Sequence, residues 1–76
     1  MKRFEPRQQV VVYYHQTLRT GKYLNISTVK QERFHEVEVA GNVGDEFLED
    51  SKVFRNLEEA RRRYPHARLH PSLNPN

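Results

Sequence analysis

Seventy-six residues without a cysteine leave room for one small domain and exclude disulfides, thiolate metal sites and thiol chemistry. The net charge of +3 hides a segregation: positions 1–33 carry seven Lys/Arg against two Glu, positions 34–54 one Lys against six Asp/Glu, and positions 55–76 five Arg against two Glu. Such a dipolar chain suits electrostatic steering toward a charged partner, and no apolar run approaches the roughly 18 residues that a membrane helix needs.

Positions 1–8 read as a flexible arm, because Pro6 discourages regular structure. The basic start leads into no long apolar stretch, so it does not read as a secretory leader. A cysteine-free chain without a leader is expected in a reducing cytoplasm. The glycosylation pattern at Asn25-Ile26-Ser27 then carries no weight.

Positions 9–70 hold the domain. Gln9 to Gln16 is dense in β-branched and aromatic residues and predicts a strand. Leu18 to Lys22 is expected to turn the chain, with Gly21 as the left-handed residue of a bulged loop. Tyr23 to Val29 predicts a second strand, Lys30 to Arg33 a four-residue turn, and Phe34 to Ala40 a third strand. These turns set Tyr14 opposite Ile26, Val12 opposite Thr28, Ile26 opposite Val37 and Leu24 opposite Val39. One face then gathers Val10, Val12, Tyr14, Leu24, Ile26, Val37 and Val39, and a one-residue slip would scatter that set.

Ala40 to Asp45 is a loop, and positions 46–55 predict a short, irregular edge strand ending at Val53-Phe54. Asn56 can cap a helix, with Glu59 three residues on. Leu57, Ala60, Arg61 and Tyr64 share a face at helical spacing, and Pro65 ends the helix. Ala67 to His70 predicts a last short strand. Positions 71–76, rich in Pro and Asn, are expected to be a disordered tail. The expected fold is a two-layer α+β domain with a three- to four-stranded antiparallel sheet, in the order β-β-β-(β)-α-(β). One C-terminal helix lies on the face of Val10, Val12, Val37 and Val39. Strands followed by a helix resemble, in element order alone, the sheet-reading DNA-binding domains of plant transcription factors and integrase arms. No signature residues accompany that order, so it assigns no family.

The chemistry-bearing residues form no catalytic set. His66 and His70 are flanked by Pro65 and Pro71, which forbid a helical metal pair, and His15 and His35 fall on opposite strand faces. The carboxylates at positions 45–50 lack calcium-loop spacing, and no nucleophile–base arrangement or phosphate-cradling loop is present. The chain is therefore expected to be a non-enzymatic binding protein with no cofactor and no metal.

Its expected docking surface is the strand face left open by the helix. Val11, Tyr13, Val29 and Phe34 supply apolar anchors there. Glu36, Glu38, Asp45, Glu46, Glu49 and Asp50 pair with a basic patch on a larger protein, which the chain modulates, most simply by inhibition. Small phage-encoded modulators of host factors, including transcription, share this general character. The alternative is a nucleic-acid-binding module that uses Lys2, Arg3 and Arg7 of the arm with Arg61, Arg63 and Arg68. Against it, Glu58–Arg62 and Glu59–Arg63 are i,i+4 pairs that account for much of the arginine run. A homodimer is compatible with docking.

Overall fold

In the computed structural model, which describes residues 1–73, strand β1 runs from Gln9 to Tyr14 and β2 from Thr17 to Val29. His15 and Gln16, with φ of 49° and 62°, form the two-residue turn between them. Paired positive φ values give the turn twist that matches right-twisted flanking strands. Lys30 and Gln31, with φ of 50° and 69°, repeat the device between β2 and β3, Glu32–Val39. Strand β4, Asp45–Leu48, returns along β3, and a 3₁₀ turn at Asp50–Lys52 leads into β5, Val53–Phe54. Helix α1 spans Leu57–Arg63, and β6, Arg68–Leu69, runs parallel to Thr17-Leu18 of β2.

The main strand order is β4-β3-β2-β1-β5, so β4 and β5 sit at opposite edges although only residues 49–52 join them. In a flat sheet those edges would lie four strand spacings, roughly 19 Å, apart. The five steps from Leu48 to Val53 reach about 17 Å when fully extended, and the 3₁₀ turn shortens them. The sheet must therefore curl. Its inner face closes on Val10, Val12, Tyr23, Val37, Val39, Leu48 and Val53, with Phe4 and Tyr14 against them. Its outer face carries a second cluster, Val11, Leu18, Phe54 and Ala60, joined by Tyr13, Leu57, Tyr64, Ala67 and Leu73.

The helix is written locally. The Asn56 side chain accepts a hydrogen bond from the Glu59 amide at 2.9 Å, which satisfies a donor that the first turn leaves open. Leu57, Ala60 and Tyr64 pack into the outer cluster, and Pro65 follows the last turn.

The α+β class, the antiparallel sheet and the single helix agree with the sequence, while the sheet has more strands than expected. The first turn falls elsewhere, and the second, within the expected Lys30–Arg33, takes two residues instead of four. Tyr14 pairs with Thr17 and Val12 with Arg19, because the chain reverses at His15-Gln16. Ile26 pairs with His35, and a bulge at Leu24 lets Tyr23 pair with Val37. Gly21 is an ordinary strand residue within β2, and a Cβ there would lie 2.6 Å from Val37 Cγ1. Positions 46–55 divide into β4 and β5 on opposite edges. The four valines are buried, but α1 lies over β1 and β5 on the other face.

The arm forms no strand, yet the Lys2 amide reaches Asp50 at 2.9 Å and the Arg7 amide reaches the Tyr23 carbonyl at 2.7 Å. Of the expected tail, Pro71–Leu73 form a 3₁₀ turn whose Ser72 hydroxyl accepts from the Thr20 amide. Residues 74–76 lie outside the described residues. Among the described residues, no helix is long and apolar enough to cross a membrane.

Candidate functional site

Strand alternation sorts the sequence-derived interface residues between the two faces. Val29, Phe34, Glu36 and Glu38 share the outer side of β2 and β3, and Asp45 and Phe47 extend that surface onto β4, where Glu36 pairs with Phe47 and Glu38 with Asp45. Helix α1 makes its main contacts with β1 and β5, so this half of the outer face has no helical cover. Phe47 is 51% exposed and Val29 42%, and Phe34 is half-buried. Val43, on the β3–β4 connection, is 99% exposed. Among the described residues, neither Glu38 nor Asp45 forms an ion pair, although Lys22 stands opposite Glu38 in the register, and Glu36 accepts from Ser27 at 3.0 Å.

Val11 and Tyr13 do not belong to that surface. Val11 is only 6% exposed beneath the helix, and Tyr13 stacks on Tyr64 with centroids 3.8 Å apart. Their parity is as expected. The helix simply chose their face. Glu46 points inward, where it accepts from Asn42 at 2.8 Å, and Glu49 is exposed just before the 3₁₀ turn. Phe47 is the most exposed aromatic of the patch.

Asp50 faces the inner side and completes a relay through the buried His35. The His35 ring, 0% exposed, meets the Tyr23 hydroxyl at Nδ1 (2.8 Å) and the Asp50 carboxylate at Nε2 (2.6 Å). A carboxylate only accepts, so Nε2 carries the proton, and in the neutral ring Nδ1 accepts from Tyr23. Phe4 packs on both rings, 5.0 Å from Tyr23 and 5.4 Å edge-on to His35. Burial pushes the Asp50 carboxyl up, but hydrogen bonds from His35 and the Lys2 amide, with the Lys2 charge, outweigh it and hold the group below its ordinary 3.8. Burial, then the Asp50 charge, pushes the Tyr23 phenol above 10.0. That direction is opposite to the one an activated phenolate nucleophile requires. The relay ties the arm, β2, β3 and the 3₁₀ turn together.

Sequence reasoning placed His35 on a core face but missed its partners. The available signal was physical: a buried imidazole costs free energy unless both nitrogens are satisfied, and an aspartate following a strand that borders it is a natural partner.

The basic residues also part company. The Lys2 ammonium donates to the Asp50 and Val53 carbonyls at 2.8 and 2.9 Å, so it is engaged within the fold. Arg3, Arg7 and Arg61 are exposed. Arg62 pairs with Glu58 at 2.8 Å, whereas no Glu59–Arg63 pair forms among the described residues. Arg63 and Arg68 line one cleft. Among the described residues, no group of three or more His, Asp or Glu is arranged to hold a metal.

No protein-family model matches the chain, nor does any curated protein or solved structure. Fold and surface together define a small α+β domain with an uncovered, acidic and aromatic strand face.

Proposed function

We propose that this chain is a non-enzymatic docking module whose outer β2–β3–β4 face seats a basic surface of a larger protein and thereby modulates it. The observation that carries this reading is the half-exposed Phe47 set beside Glu36 on a strand face that helix α1 leaves bare. Phe47, Phe34 and Val29 would give up apolar surface to the partner, which is the favourable part of association. Glu36, Glu38 and Asp45 would speed and orient the encounter with Lys or Arg on the partner. Occupying a basic surface on an enzyme would block whatever acid or polyanion that surface serves, and inhibition is the simplest consequence. Absence of cysteine suits a reducing cytoplasm.

The test is retention of a partner from cell extract on the immobilised chain, compared with Phe47→Ser and with Glu36→Lys/Glu38→Lys. A partner held by the wild type, lost from both variants and shifting the backbone amides of residues 34–38 and 45–47 supports docking here. Retention that ignores both variants, with circular dichroism unchanged, overturns it.

A further inference from the structure

The end of α1 and the start of β6 enclose a cleft whose chemistry is opposite to that of the acidic face. It is lined by Tyr13, Gln16, Arg63, Tyr64, His66 and Arg68 together with two small apolar residues, and among the described residues no carboxylate lines it. Its volume of about 410 Å³ falls in the roughly 300–1,000 Å³ range of small-molecule sites.

Three details make this more than a solvated helix end. The arginine run 61–63 separates into different environments: Arg62 is neutralised by Glu58, Arg61 lines a different surface hollow with Leu57, and Arg63 turns into the cleft. Pro65 stops the helix at the point that lets the chain double back and bring Arg68 to the same cleft. The Arg68 amide bonds the Gln16 carbonyl at 3.3 Å, which fixes its position against the β1–β2 turn. Neither Arg63 nor Arg68 has an ion-pair partner among the described residues. The wall between them is aromatic. Tyr13 and Tyr64 lie parallel, with an interplanar angle of 2°, and the Arg63 guanidinium sits 5.7 Å from the Tyr64 centroid.

Two unneutralised guanidiniums and a histidine beside a stacked tyrosine pair suit a ligand that carries phosphate and a planar base together. We propose that this cleft binds single-stranded nucleic acid, with Arg63 and Arg68 on successive phosphates and a base against the Tyr13–Tyr64 wall. The site is separate from the acidic docking face and stands or falls independently of it.

The probe is a fluorescein-labelled oligothymidylate followed by anisotropy, with an abasic strand of the same length and poly-glutamate as comparisons. With two phosphates contacted, affinity falls roughly sevenfold between about 50 and 200 mM salt. Arg63→Gln/Arg68→Gln weakens binding about tenfold at the lower salt and removes most of the salt slope. Lys30→Gln/Arg33→Gln removes the same charge from the far hairpin and changes affinity less than about threefold, as expected when distant charges are screened. The abasic strand binds at least about fivefold more weakly if a base stacks. Equal losses in the two double variants, equal binding of the abasic strand or of poly-glutamate, or no anisotropy change at low salt would each overturn the proposal. Unchanged circular dichroism in both variants shows that folding is intact.

Discussion

Tyr23→Phe removes one oxygen from the centre of the inner core and tests whether the Tyr23–His35–Asp50 relay stabilises the fold. The ring of Phe fills the same space, so packing against Phe4 is kept. What is lost is the partner of His35 Nδ1, 2.8 Å away, in a ring with 0% exposure. Water cannot replace it, and a buried unsatisfied polar atom costs about 1–3 kcal/mol. Asp50→Asn keeps an acceptor at the other nitrogen but loses the charge-assisted part of the bond. Because the Asp50 side chain is 38% exposed, solvent screening limits that loss to about 1 kcal/mol. The tyrosine variant should therefore be the more damaging, although it removes no charge.

Urea denaturation at neutral pH measures both. With a slope near 1 kcal/mol/M for so small a domain, Tyr23→Phe should lower the midpoint by about 1–3 M. The pH dependence separates the two further. The folded-state pKa of Asp50 lies below its ordinary 3.8, so its contribution is complete above that value and is lost as pH falls through the folded pKa. The gap between wild type and Asp50→Asn should be full at neutral pH and close in acid, while the Tyr23→Phe gap persists. A Tyr23→Phe protein within about 0.5 kcal/mol of wild type would refute the assignment of an isolated, water-free imidazole.

Two other changes probe the backbone. Gly21→Ala places a methyl group 2.6 Å from Val37 Cγ1, and overpacking of that kind should cost about 1–3 kcal/mol in thermal unfolding. Gln31→Gly relieves a side chain held at φ of 69° in the second hairpin turn and should stabilise by about 0.5–1 kcal/mol, despite the added freedom of the unfolded chain. A melting temperature that falls in the glycine variant would contradict the turn geometry.

Much of the first hairpin was illegible for a definite reason. Both tight turns are built from His-Gln and Lys-Gln, which pay no heed to the Asn-Gly preference that marks such turns in sequence. The eye goes instead to Gly21, whose actual task is to let Val37 approach. The proposed registers agreed with one another because apolar parity recurs every two residues, so agreement could not detect a shift. The bulge at Leu24 then moved Tyr23 to the inner face and gave His35 its partner. Of the acidic residues, Glu36 and Glu38 were legible as outward-facing from alternation alone, but Asp45, which reads as loop, and Asp50 were not: β4 sets the direction of the first and the 3₁₀ turn that of the second.

The sequence by itself determined what depends on near neighbours: the capped helix from Asn56 to Pro65, the strand-forming stretches, and the parity that puts Phe34 and Glu36 on one side and Val37 on the other. Only the tertiary structure decided which side the helix would cover. Both faces of β1 are apolar, Val10 and Val12 on one and Val11 and Tyr13 on the other, so local pattern is indifferent between them. The choice fell to the curl of the sheet. Once residues 49–52 draw its edges together around Val10 and Val12, that face is filled by the sheet and the arm, and the helix can bury its own apolar stripe only on the side of Val11.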